Sequence, residues 1–363
     1  MQRVGPPIKG TDGSAGNSAR QQTSAENRRR DLLHRHTPTP YGVVLRVMGK
    51  TIRLETNSPR VVESALGFFV RHQGRLAGHA EFLWRIVSQK DQQIDEAGVA
   101  LSAFSDHGLR FANIGQKSFL AVDLKAREGI GFVAERLIER EPTLHCRSVF
   151  DTLFCMTAAS LGLVPLSAAC VGVGNKGLLI FGPPNSGKTT ASYLAAKLGL
   201  EFHADHAVFL EMEAGRLQAW GDLLPAIFRT ESLQFLPELR TSTRRFSYPG
   251  LTVHYLPKGP FQAAKAQPVS PVCSVFLNRA SSCETRLAPM LSSELSCRFA
   301  NCILFKDDDL FQQQTSMVLH VLRDVPAYDL AYGRDPAIAA TCLQQILADH
   351  DIAGIDSSGR LGH

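Results

Sequence analysis

Gly177-Leu-Leu-Ile-Phe-Gly-Pro-Pro-Asn-Ser-Gly-Lys-Thr-Thr190 decides the fold: a short apolar run leads into a complete G-x-x-x-x-G-K-[ST] pattern at 182–189. In such a loop Gly182 and Gly187 allow the backbone to curl so that successive N–H groups face one concavity that a side chain would fill. Lys188 then supplies a positive charge for the β- and γ-phosphates of a nucleoside triphosphate, and the Thr189 hydroxyl suits Mg²⁺. The run 190–198 reads as a helix stopped by Gly199, with its N-terminal dipole toward the same phosphates. The pattern predicts binding of a nucleoside triphosphate with Mg²⁺ by Gly182, Pro183, Pro184, Asn185, Ser186, Gly187, Lys188, Thr189 and Thr190.

Outward from this loop, 363 residues suit two domains, and 44% hydrophobic with 20% charged residues is a globular composition. Residues 1–40 hold seven Lys/Arg against three Asp/Glu and show no hydrophobic period, so they read as a disordered basic tail. The remainder is close to neutral, which argues against nucleic-acid binding by the folded part. No apolar run is long enough to span a bilayer and the N-terminal segment is polar, so a cytoplasmic location is expected. The eight cysteines form no C-x-x-C pair, which favours reduced core residues over zinc or disulfides. A homo-oligomer is left open.

Residues 41–164 read as a small α+β domain. Residues 43–47 and 51–54 flank Met48-Gly49-Lys50 as a hairpin, and strands are expected at 82–87, 109–114, 118–122 and 130–134. Ser58-Pro59 starts a helix whose apolar stripe is Val62, Leu66, Phe69 and Val70. A helix at 147–161 leads into the second domain, 165–350, and a flexible tail follows at 351–363. Within the second domain strands are expected at 166–171, 177–181, 207–211, 217–220, 272–277 and 328–332, with a closing helix at 336–348. Residues 307–309 read as the acidic first turn of a helix rather than the end of an ATPase-type strand. Arg244, Arg245, Lys258, Lys265 and Arg279 are scattered cations with no role assigned, and Tyr248-Pro249-Gly250 with 257–260 marks their segment as loop-rich.

A phosphate loop also needs an acidic partner for the metal or the nucleophile, and Ala204-Asp205-His206 supplies one at the start of a β-branched and aromatic run. With the preceding Leu166-Ser167-Ala168-Ala169-Cys170-Val171 run and the C-terminal Val325-Pro326-Ala327-Tyr328-Asp329-Leu330-Ala331-Tyr332-Gly333-Arg334-Asp335, residues 165–350 resemble the HPr kinase/phosphorylase-like family. The resemblance implies an α/β P-loop nucleotide-binding domain that transfers the γ-phosphate of ATP to a hydroxyl on a protein, peptide or small molecule. Carried over by position, Lys188 and Thr189 hold phosphate and Mg²⁺, and Asp205 takes the first place of an acidic pair as metal ligand and catalytic group. Two positions depart from the family's pattern: His206 stands where the pair has its second acid, the proton acceptor, and Ser167 stands where the family has histidine. A neutral imidazole accepts a proton near pH 7, so His206 replaces the acid as base, or the domain has lost catalysis and serves as a nucleotide-binding regulatory or accessory protein.

Overall fold

The computed structural model describes residues 37–70, 72, 79–90, 101–114, 118–139, 147–221, 226–248, 251–256, 267–280, 284–305 and 311–356. The architecture is mixed α/β, with nineteen strands in four sheets among the described residues. The expected tail lies largely outside the described residues.

The first sheet contains β1 (Tyr41–Val47), β2 (Lys50–Thr56), β3 (Phe82–Gln89), β4 (Leu101–Asp106), β5 (Leu109–Ile114), β6 (Ser118–Asp123) and β7 (Glu128–Ala134), in the order β1-β2-β3-β7-β6-β5-β4. The hairpin turns at Met48 and Gly49, both at positive φ, and helix α1 (Pro59–Phe68) is the crossover that lets β2 and β3 run parallel. Proline holds the first position of α1, as the sequence indicates, but the buried residues are Val61 and Ala65, followed by Phe69. Leu66 and Val70 are exposed and Val62 is half-buried, so the stripe is rotated by one residue from the expected one. Adjacent apolar pairs at 61/62 and 68/69 make both rotations equally apolar in sequence, and only the partner surface chooses between them. Strand β4, which pairs with β5, has no counterpart among the expected strands.

Residues 147–161 are helical as expected, but as a π turn (Arg147–Asp151), an α segment α3 (Thr152–Thr157) and a 3₁₀ turn (Ala158–Leu161), where α2 is the short helix Glu135–Glu139. Residues 149–161 are buried on all sides, not along one face. They fill the first core, with Phe150 and Phe154 packed against Phe69 and Trp84, and that core also takes in Ala207 and Phe209 from much later in the chain.

The second sheet runs β11-β9-β10-β17-β19-β18, where β9 is Ala169–Val173, β10 Lys176–Phe181, β11 Glu201–Ala204, β17 Ser270–Arg279, β18 Arg286–Pro289 and β19 Ala327–Tyr332. Strands β10, β17 and β19 are mutually parallel neighbours, and β9, β11 and β18 extend the sheet antiparallel. Alternation along β10 explains the layers: Leu178 and Ile180 face helices α4 (Lys188–Lys197) and α8 (Pro336–Asp356), while Leu179 and Phe181 face the opposite core with Phe276 and Phe299. Helices α6 (Ser292–Ala300) and α7 (Gln312–Arg323) cover that opposite core, and α5 is the single turn Leu239–Ser242. Helix α8 continues through Asp356 instead of ending at Ala348.

Two expectations change here. The 166–171 strand is two strands, β8 (Val164–Leu166) and β9, in different sheets: β8 pairs with β12 (Val208–Glu213), which pairs with β13 (Arg216–Trp220), while β9 pairs with β10. An unbroken apolar run carries no mark of where it changes sheets, so Ser167 and Ala168 looked like strand interior. The loop-rich segment contains a fourth sheet, β14 (Ile227–Arg229), β15 (Arg244–Tyr248) and β16 (Leu251–Tyr255), in the order β14-β16-β15. The acidic turn at 307–309, the loop at 257–260, Lys258 and Lys265 lie outside the described residues.

Candidate functional site

The 182–189 loop is shaped by two glycines and an asparagine. Gly182, Asn185 and Gly187 have φ of 148°, 69° and 90°, a region closed to most side chains and open to Gly and Asn. A Cβ on Gly182 would lie 2.5 Å from Ser186 Oγ and 2.7 Å from the Leu277 carbonyl oxygen, and one on Gly187 would lie 2.1 Å from Tyr332 Oη. The loop therefore presses against the ends of β17 and β19. Tyr332, the last residue of β19, donates its hydroxyl to the Ser186 carbonyl oxygen at 2.6 Å and is itself buried. Helix α4 starts at Lys188, and its first closing bond runs from Ala191 N–H to the Gly187 carbonyl at 2.8 Å. The N–H groups of its opening turn have no helical acceptor and carry the positive end of the dipole. Gly199, at φ 105°, ends the helix as its sequence predicts.

A cavity of about 740 Å³ opens above this turn, at the carboxyl ends of β10, β17 and β19. Its size falls within the usual range for small-molecule sites, and its position follows from the parallel core, because open α/β sheets expose their crevice at that edge. Asn185, Gly187, Lys188, Thr189, Thr190 and His206 line it. Pro183 and Pro184 are exposed outside it, and Ser186 is buried beneath the loop. The Lys188 ammonium donates to the carbonyl oxygens of Gly182 at 2.7 Å and Pro183 at 3.2 Å. Burial lowers its pKa from the ordinary lysine value, and the nearby charges of Cys302 and Asp205 act in the opposite direction.

Asp205 and His206 part company at the end of β11. Asp205 is buried, with Oδ2 accepting the Ile227 N–H at 3.1 Å, so it ties the end of β11 to β14. His206 is exposed and lines the cavity. Ser167 lies between β8 and β9, where its N–H donates to the Cys302 carbonyl at 2.7 Å. His203, close to Glu201 with Nε2–Oε2 3.6 Å, belongs to β11.

Sequence reasoning missed several residues that line the cavity. Asp151 reaches it from the π turn, a helix distortion that often accompanies functional sites. Arg229, Arg279 and Arg334 come from the ends of β14 and β17 and from the loop after β19. Arg279 was among the unassigned cations, and its register partner across the sheet is Tyr332. The signal for it was present: it directly follows a core strand parallel to the one that feeds the loop. Arg229 had none, since β14 is three residues long. Ile227, Phe235 and Val253 give the cavity an apolar wall.

This donor set fits a magnesium-bound nucleoside triphosphate: an open helix N-terminus, an ammonium and a hydroxyl at one end, an apolar wall at another. Among the described residues no cluster of three or more His, Cys, Asp or Glu could cage a metal. Magnesium does not require one, because it is commonly held by one or two protein groups with phosphate oxygens and water.

No family model matches the chain, and no curated protein matches it. Among solved structures, the HPr(Ser) kinase/phosphatase from Coxiella burnetii is similar at a TM-score of 0.27 and 11% identity, over 52% of this chain and 97% of that one. No helix among the described residues is long and apolar enough to cross a membrane.

Proposed function

We propose that the chain binds ATP with Mg²⁺ in this cavity and transfers the γ-phosphoryl group to a hydroxyl of a protein, peptide or small molecule. The supporting observation is the cavity itself, which gathers the α4 N-terminus, Lys188, Thr189 and the imidazole of His206 at the edge of a parallel core. In this reading the 182–190 segment holds the phosphates, Lys188 exchanges its two loop carbonyls for the outer phosphate oxygens, and Thr189 holds the metal. The bound metal would supply charge neutralisation on the phosphate oxygens. Asp205, with its buried carboxylate, would be the second protein group to hold the metal.

His206 is the base, because of the two neighbours it is the one that lines the cavity. The acceptor oxygen bonds to the γ-phosphorus as the bond from that phosphorus to the bridging oxygen breaks, and the hydroxyl proton passes to the imidazole. ADP is the leaving group, carrying away the bridging oxygen, so atoms and charge balance without a further reactant.

The test is calorimetry of ATP and ADP binding with Mg²⁺, followed by transfer of labelled phosphate to fractionated acceptors. His206→Ala should cut transfer about a hundredfold with little change in ATP affinity, and the wild-type rate should fall as acid protonates the imidazole base. Lys188→Ala should weaken triphosphate binding about tenfold or more, the scale of a lost charge-assisted bond. A folded wild type that binds no nucleotide removes the proposal. Undiminished transfer by His206→Ala removes the histidine from the mechanism and points to Asp151 or Asp205.

A further inference from the structure

Phosphoryl transfer as described leaves three cavity cations without a task. Arg229 ends β14, Arg279 ends β17 and Arg334 lies two residues beyond β19, so three separate elements deliver guanidinium groups to one space. All three residues are exposed, and among the described residues no side-chain hydrogen bond or ion pair engages any of them. The carboxylates lining the same cavity are Asp151 and Glu231, with Asp205 buried nearby. Lys188, the α4 N-terminus and a magnesium ion already match the charge of a triphosphate. A surplus of guanidinium forks beyond that is the chemistry of a second oxyanion, since the planar arginine head matches carboxylate or phosphate oxygens in pairs. Arg279 is the register neighbour of Tyr332, whose hydroxyl holds the loop at Ser186, so this arginine sits beside the phosphate end, and Arg334 follows Tyr332 by two residues.

We propose that Arg229, Arg279 and Arg334 form an oxyanion subsite for the acceptor, and that the acceptor hydroxyl belongs to a compound carrying a phosphate or carboxylate group near that hydroxyl. This inference rests on the phosphotransfer reading of the same cavity.

The test uses the full chain saturated with Mg²⁺ and a non-hydrolysable ATP analogue, which fills the α, β and γ positions, with inorganic phosphate and, separately, malonate titrated in by calorimetry. Phosphate or malonate should bind this complex, and the tighter of the two identifies the acceptor's anion. The pair Arg229→Gln and Arg334→Gln should weaken that binding at least tenfold while the analogue's affinity changes less than threefold. Arg279→Lys, which keeps the charge and loses the fork, should weaken it as well, and melting curves confirm that each variant is folded. The proposal is overturned if neither probe binds the analogue complex. It is equally overturned if phosphate binds only beside ADP, which assigns the arginines to the γ position, or if the variants weaken the analogue as strongly as the probe. A chain that binds no nucleotide but retains arginine-dependent phosphate binding would remove the phosphotransfer reading and leave the oxyanion subsite standing.

Discussion

At the scale of single residues, the contact between Tyr332 and the loop carries a test that simple loss of a contact would not. Gly187 is required twice, once by its φ of 90° and once by the Tyr332 hydroxyl, which would lie 2.1 Å from an added Cβ, whereas the ring carbon Cζ would lie at 3.5 Å, an ordinary contact. Gly187→Ala should therefore lower stability by about 3 kcal/mol or more, combining positive-φ strain with the clash. Tyr332→Phe removes the oxygen that clashes, and the double variant should be less destabilised than the sum of the singles by about 1 kcal/mol or more. Urea denaturation of the four proteins measures this, and strict additivity would mean the tyrosine does not hold the loop. Motif reading gave Gly187 a reason directed at a ligand; the tertiary contact supplies a second, purely structural one.

At the scale of elements, helix α1 shows how far a hydrophobic pattern goes. Its start at Ser58-Pro59 follows from local backbone chemistry, with Ser58 extended at φ −130° and proline tolerated in the first turn. Its rotation does not, because the pattern is apolar on two overlapping stripes and burial picks the one through Val61, Ala65 and Phe69. Val61→Ala should cost about 2 kcal/mol through the cavity it leaves, while Leu66→Ala, at 40% exposed, should stay within about 0.5 kcal/mol. The reversed order of effects in thermal or urea unfolding would restore the stripe expected from sequence. Strands β8 and β9 follow the same logic: their apolar run was legible, and the change of sheet at Ser167 was not, because it depends on β12 arriving from later in the chain.

At the scale of the whole molecule, the first core is completed by Ala207, just before β12, and Phe209 within it, and Lys50 of the opening hairpin meets Glu211 of that strand at 2.5 Å. Trp220 donates its Nε1–H to the other oxygen of Glu211 at 2.6 Å, so one buried carboxylate joins both parts of the chain. Glu211→Ala should cost about 2–3 kcal/mol, since it leaves an ammonium and an indole N–H without their acceptor in a largely dry place. Wild-type unfolding in urea should follow one transition by both tryptophan fluorescence and circular dichroism; two separated transitions would show that β12 does not couple the cores. What the sequence determined by itself was local: the loop at 182–189, the strand before it, the helix after it, Gly199 as its stop, and most strands of both large sheets. These follow from residue chemistry over a few neighbours, glycine at positive φ, proline at a helix start and alternation along a strand. Only the tertiary structure decided that the ends of β10, β17 and β19 meet at one cavity, that His206 faces it while Asp205 lies beneath, and that Asp151, Arg229, Arg279 and Arg334 converge there from four separate segments. Convergence of that kind is a property of parallel strands brought side by side, and no periodicity within a segment encodes its neighbour.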